Sequence, residues 1–79
     1  MSEAIFDVVR EVFVSVREID PSRVVAEASL ADDLGLDSLD AIEIVMALED
    51  RYDREFDDEN LQDLKTVHDV VALVRSLID

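Results

Sequence analysis

The sequence predicts an all-α fold, a small four-helix bundle with three longer helices, one short helix and a long loop between helices one and two. Three stretches of the chain repeat apolar residues at the three- and four-residue spacing of one helix face. Proline, glycine and capping residues stand between those stretches. A chain of 79 residues has room for one domain, which we place at residues 1–79.

Ser2 and Glu3 are expected to open the first helix, which ends near Glu18. Phe6 and Phe13 border its apolar stripe. The stripe itself consists of Ile5, Val8, Val9, Val12 and Val16.

The connection that follows, residues 21–35, is long for so small a domain. Pro21 ends the first helix because proline cannot continue the hydrogen-bond ladder. A loop of this length can cross one end of the bundle, so helices one and two need not be adjacent antiparallel neighbours. Four apolar residues are expected to attach the loop to the core: Val24, Val25, Ala28 and Leu30.

The second helix is expected to begin at Asp37 or Ser38, either of which can cap it, and to end near Tyr52. Its core stripe is Ala41, Ile44, Val45, Leu48 and Tyr52. A second apolar stripe lies roughly 130° around the helix and consists of Leu39, Ile42 and Met46. A neighbouring helix could cover this second stripe. Its acidic border argues for exposure, because carboxylates are rarely buried unpaired; that border is Glu43, Glu49, Asp50 and Asp53.

Two further helices are expected in the remainder of the chain. Asp57 or Asp58 can cap a short helix up to Asp63, anchored by the apolar residues Phe56, Leu61 and Leu64. Thr66 caps the last helix, and Asp69 three residues later completes a box-like pattern. The last helix has the core stripe Val67, Val70, Val71, Val74 and Ile78, widened by Leu73 and Leu77.

The chain is strongly acidic, with 21 acidic against 7 basic residues and a net charge of −14. Such a surface repels nucleic acid and anionic membrane and attracts basic patches on other proteins, although acids can also serve solubility alone. No apolar run approaches the roughly 20 residues of a membrane span. We therefore expect a cytoplasmic monomer that binds no nucleic acid.

Residues able to perform catalysis or bind metal are scarce. His68 is the only histidine, and nothing in its spacing places it beside Ser38. The acidic segment from Asp53 superficially resembles a calcium-binding loop, but Asp58 stands where glycine is needed and Leu64 where glutamate is needed. The absence of cysteine excludes disulfides and thiolate metal sites. We expect no catalytic residue and no metal site.

Ser38 is the candidate functional residue, since Asp37 can already supply the helix cap. The segment DLGLDSLD, residues 33–40, followed by EIVMALE, residues 43–49, strongly resembles the acyl carrier proteins, most closely their type II fatty-acid-synthesis branch. Asp37-Ser38-Leu39 corresponds to the attachment motif of that family. The likeness extends over the whole chain.

The resemblance implies that Ser38 is esterified by 4′-phosphopantetheine, which a Mg²⁺-dependent phosphopantetheinyl transferase takes from coenzyme A. Acyl groups would be carried on this arm as thioesters and presented to fatty acid synthesis enzymes. Asp37 and Leu39 flank the attachment point. The second stripe then becomes a docking face for basic enzyme surfaces, formed by Asp40, Ile42, Glu43, Met46, Glu49 and Asp50.

Two alternatives stay open at this level. A carrier for a specialised pathway (polyketide, aminoacyl or modified-lipid synthesis) would use the same fold and the same serine. An unmodified acidic adaptor, or a nucleic-acid mimic, would explain the charge alone.

Phe56-Asp57 stands where the family often has Ile-Pro, and Leu61 and Leu64 are bulky. These departures leave the acyl chain length open.

Overall fold

The computed structural model describes residues 4–56 and 64–78. In these ranges the regular elements are helices, with one isolated antiparallel bridge between Ser29 and Thr66. The all-α class is therefore confirmed, while the short helix predicted up to Asp63 lies outside the described residues. The elements are α1 (Ile5–Arg17), a 3₁₀ helix (Pro21–Arg23), α2 (Ser38–Tyr52) and α3 (Val67–Ile78).

Helix α1 lies at the centre of the packing because it contacts both α2 and α3. It begins at Ile5, later than predicted, with Ala4 as an extended N-cap, and it ends where Glu18 adopts a left-handed conformation. Phe13, expected at the border of the stripe, is fully buried. A helix packed against two neighbours needs a wider buried face than one stripe supplies, and Phe13 fills the added width.

Helices α1 and α2 are adjacent and antiparallel. Glu11 of α1 pairs with Arg51 near the end of α2 at 3.3 Å. Arg17 at the end of α1 pairs with Asp40 near the start of α2 at 2.5 Å. We expected that the long loop would free these two helices from being adjacent antiparallel neighbours, yet the ion pairs show that they are. The loop instead leaves the end of α1, reaches the start of α3 and returns to the start of α2.

Backbone hydrogen bonds attach the loop to the first turn of α3. The N–H groups of Val67 and His68 donate to the carbonyls of Ala28 and Ala26 at 3.1 and 3.0 Å, and the N–H of Leu30 donates to the carbonyl of Lys65 at 2.9 Å. The first N–H groups of a helix have no partner within it. The loop supplies those partners, so its course is fixed by the helix it crosses.

The apolar residues of the loop divide between core and solvent. Val24, Ala28 and Leu30 are buried as predicted, whereas Val25 is 41% exposed. The guanidinium of Arg10 on α1 donates to the carbonyl of Val24 at 3.2 and 3.3 Å and so holds this point of the loop against α1. Only one of two successive side chains can then face the core, and Val25 faces solvent.

The described core contains no buried polar or charged residue. It draws side chains from all three helices, from the loop and from Phe56. Its members are Val8, Val9, Val12, Phe13, Val24, Ala28, Leu30, Leu36, Ile44, Val45, Leu48, Phe56, Val67, Val70, Val71 and Val74. None of the helices in the described ranges is long and apolar enough to cross a membrane.

The predicted cap of α3 is confirmed in reciprocal form. The Thr66 Oγ1 accepts from the N–H of Asp69 at 3.2 Å, and the Asp69 carboxylate accepts from the N–H groups of Thr66 and Lys65 at 3.0 and 2.9 Å. The N–H of Lys65, and to a smaller extent that of Thr66, holds the pKa of Asp69 below its ordinary value. The ionised carboxylate therefore stabilises the fold.

We expect Asp69→Asn to lower the melting temperature by roughly 2–4 °C at neutral pH, because asparagine keeps an acceptor oxygen but loses the charge. A folded pKa below the unfolded value of 3.8 contributes stability above that value. That contribution is lost as pH falls through the lower folded pKa. The parent and the variant should therefore converge in thermal melts as pH decreases below 3.8. A gap that persists unchanged at low pH would contradict this account.

Candidate functional site

A tight turn in the loop sets the position of Ser38. The Asp33 carboxylate accepts from the N–H of Ser29 at 2.6 Å, and the Ser29 carbonyl accepts from the N–H of Leu34 at 3.1 Å. Gly35 follows with φ +67°, a conformation that glycine adopts without the Cβ penalty of other residues. The chain then reverses, so that the N–H of Leu36 reaches the carbonyl of Leu30 at 2.8 Å. Ser38 comes directly after this anchored segment.

Asp37, and not Ser38, caps helix α2. Its Oδ1 accepts from the N–H of Asp40 at 2.9 Å, and the Asp40 Oδ2 accepts from the N–H of Asp37 at 3.0 Å, which completes a capping box. The hydrogen bond from the Asp40 N–H lowers the pKa of Asp37. The cap therefore remains charged at neutral pH and leaves the neighbouring serine without a structural task.

Ser38 is the first residue of α2 and its side chain is exposed. Its hydroxyl makes no hydrogen bond to the residues that the structure describes. An exposed primary alcohol at a helix N-terminus can accept a phosphoryl-type group there, because the partial positive charge of the terminus favours an anion. Activation of the hydroxyl would have to come from the enzyme that delivers the group.

A groove of about 920 Å³ opens beside Ser38. One side comes from the loop and the other from α2, and Leu64 and Lys65 before α3 complete it. The sequence did not indicate this convergence, because the contributing segments are far apart along the chain. The lining residues are Ser29, Leu30, Ala31, Leu36, Asp37, Ser38, Ala41, Ile42, Leu64 and Lys65.

The second apolar stripe of α2 faces solvent. Leu39, Ile42 and Met46 are 68%, 39% and 58% exposed, respectively. With Val25, they are the exposed large hydrophobic residues of the described chain. No described element covers the stripe, so α2 has one buried face and one exposed apolar face in the part of the chain that the structure describes.

The carboxylates predicted around this stripe have different surroundings. Asp40 and Glu43 both pair with Arg17, at 2.5 and 2.6 Å. Glu49 is half-buried, and its carboxylate accepts from the N–H of Phe56 at 2.8 Å, a contact that supports the end of α2. Asp50 is exposed. The acidic border is therefore partly occupied by contacts within the chain.

Arg17 was missed from the sequence as a residue of this face. Its position in the last turn of α1 was visible, and an antiparallel α1–α2 pair would have placed that turn beside the start of α2. Because these helices were not expected to be neighbours, the position of Arg17 was not recognised as lying beside α2.

Among the described residues, no group of three or more His, Asp or Glu side chains is placed to hold a metal ion.

Comparisons with a family model, with related sequences and with a solved structure agree with one another. The family described as phosphopantetheine attachment site matches residues 7–74. The chain is 49% identical over 69 residues to an acyl carrier protein of Bdellovibrio bacteriovorus, covering 87% of this chain and 88% of that protein. It is 42% identical to an acyl carrier protein of Wolinella succinogenes, covering 92% and 96%. A solved structure from Mycobacterium tuberculosis, assigned as an acyl carrier protein, aligns with a TM-score of 0.85 at 30% identity, covering 92% of this chain and 97% of that chain.

The neighbouring residues Val45 and Met46 provide a test of the two faces of α2. Met46→Ala should change the free energy of unfolding by less than about 0.5 kcal/mol, since the side chain is exposed and alanine favours a helix. Val45→Ala should cost about 2 kcal/mol, because it truncates a buried side chain. Urea denaturation of both variants measures the difference. A cost of several kcal/mol at Met46 would show that the exposed stripe is part of the core.

Proposed function

This chain belongs to the acyl carrier protein family, and from that membership we propose that Ser38 is the residue that bears its 4′-phosphopantetheine arm. As a member of the family, the protein carries acyl groups on this covalently attached cofactor. The arm supplies the thiol to which acyl groups are joined as thioesters, and the chain has no cysteine of its own. The observation that supports the assignment is that the Ser38 side chain is exposed and that its hydroxyl makes no hydrogen bond to the described residues.

The residues around Ser38 fit a phosphodiester at that position. The first turn of α2 directs N–H groups and the positive end of the helix dipole outwards. Asp37 holds this turn through the capping box, so the serine is presented on a fixed helix end. Leu39, largely exposed beside it, offers an apolar contact to the enzyme that delivers the arm. We assign Asp37 and Leu39 to presentation of the serine.

The docking face comprises Asp40, Ile42, Glu43, Met46, Glu49 and Asp50. Its partner is a protein surface with lysine or arginine residues around an apolar patch, since that surface complements both the exposed stripe and the net charge of −14. A phosphopantetheinyl transferase and the enzymes that use the acyl group would share this face. Glu49 has the weakest claim among the six because its carboxylate supports Phe56.

The pathway we propose is fatty acid synthesis in the cytoplasm, with the protein acting as a carrier that performs no chemistry itself. The acidic α2 helix and the Leu39-Asp40 pair favour this pathway over a specialised one. The acyl group found on the protein in its native cell distinguishes the two. Saturated and 3-oxygenated fatty chains support fatty acid synthesis, and polyketide or aminoacyl loads contradict it.

Attachment should depend on Ser38. Incubation with a broad-specificity phosphopantetheinyl transferase, coenzyme A and Mg²⁺ should add one arm to the parent, as intact mass shows. Ser38→Ala should abolish the addition and change the free energy of unfolding by less than about 0.5 kcal/mol, because Asp37 retains the cap. Ser76→Ala, which removes another exposed helical serine, is the matched control and should be modified normally. An arm that still appears on Ser38→Ala would refute the assignment.

The groove beside Ser38 should take up part of an acyl chain. Leu30, Leu36 and Leu64 give it an apolar wall, and each methylene buried is worth about 0.8 kcal/mol. The decanoyl form should therefore melt several degrees above the form with the bare arm. Differential scanning calorimetry of the two forms measures the shift. An equal or lower melting temperature for the decanoyl form would show that the chain stays in solvent.

A further inference from the structure

Arg17 couples the end of α1 to the acidic side of the docking face. One of its terminal nitrogens, Nη2, lies 2.5 Å from the Asp40 Oδ1 and 2.6 Å from the Glu43 Oε2. Hydrogen bonds between charged groups at such distances are among the stronger contacts of a protein surface. The Arg17 and Asp40 side chains are only 31% and 21% exposed, so solvent screens this pair less than a fully exposed ion pair, whereas Glu43 is 54% exposed.

The pKa of Asp37 in the neighbouring turn is lowered mainly by the hydrogen bond from the Asp40 N–H, and the charge of Arg17 adds a smaller effect in the same direction. The Nε of Arg17 is buried without a hydrogen-bond partner among the described residues. The side chain is therefore held by the two carboxylates that it bridges.

On the basis of the docking face proposed above, we infer that Arg17 competes with the basic residues of partner proteins for the Asp40 and Glu43 carboxylates. Arg17 thereby sets how strongly those partners bind. A partner that presents lysine or arginine to Asp40 and Glu43 meets carboxylates that are already paired. It must displace the guanidinium or accept repulsion from it, because like charges in one cluster oppose each other. The apolar stripe and Asp50, which form no ion pair with the described residues, then carry a larger share of recognition. The partner favoured by this arrangement is a protein surface in which an apolar patch dominates and the basic residues lie to one side.

The test uses binding of the unmodified protein to a phosphopantetheinyl transferase without coenzyme A, measured by isothermal titration calorimetry at low salt. Arg17→Gln frees both carboxylates and removes a positive charge, so we expect about three- to fivefold tighter binding. Arg51→Gln is the matched control. It also breaks an α1–α2 ion pair and changes the net charge from −14 to −15, but Glu11, the carboxylate in that ion pair, lies outside the docking face. Its affinity should stay close to that of the parent.

Three further measurements separate a charge effect from a loosened fold. Arg17→Lys restores the cation and should return the affinity towards that of the parent, whatever the stability of Arg17→Gln. The gain of Arg17→Gln should shrink as salt screens the cluster. It should also be smaller in a Glu43→Gln background, where one of the freed carboxylates is absent.

Equal effects of Arg17→Gln and Arg51→Gln, or weaker binding by Arg17→Gln, would overturn the inference. Weaker binding would mean that Arg17 holds the carboxylates in the geometry that partners need. Failure of the proposed function has a separate signature, since the parent would then gain no arm when coenzyme A and Mg²⁺ are added.

Discussion

The hydrogen bonds between the long loop and the first turn of α3 are the constraint on which the site depends. Ala26, Ala28 and Leu30 exchange backbone contacts with residues 65–68, and this exchange satisfies helix N–H groups that have no partner within α3. The anchored loop then leads through the turn at Gly35 to the start of α2. Ser38, which we propose as the attachment residue, is thereby positioned by a helix to which it does not belong.

In the first turn of α2, the helix cap and the proposed attachment point lie on two different, neighbouring residues. Asp37 closes the helix with a reciprocal cap, and the next residue, Ser38, extends an exposed hydroxyl that the described fold does not use. A residue that both capped the helix and carried the arm would lose its cap on modification. Because the cap lies on Asp37, an arm on Ser38, as proposed, would leave the cap of α2 intact.

Electrostatics and packing meet on α2. Its buried side, with Ile44, Val45 and Leu48, anchors the helix to the core, while its outer side combines exposed apolar residues with acids. In a chain with a net charge of −14, each cation placed among the carboxylates reduces their mutual repulsion and so stabilises the fold. Arg17 provides one such cation by pairing with Asp40 and Glu43, the same two acids that we propose for partner recognition.

The sequence by itself determined the helical class, the core stripes of α2 and α3, the Thr66–Asp69 cap and the block around Ser38. These follow from residue types at fixed spacing within one element, where helix geometry leaves little freedom. Tertiary structure alone decided that α1 and α2 are antiparallel neighbours, that Phe13 is central and Val25 exposed, and that Arg17 bridges Asp40 and Glu43. It also decided which loop and helix residues enclose the groove beside Ser38. Each of these depends on which elements come together in space, and the periodicity of a single element contains no information about its neighbours.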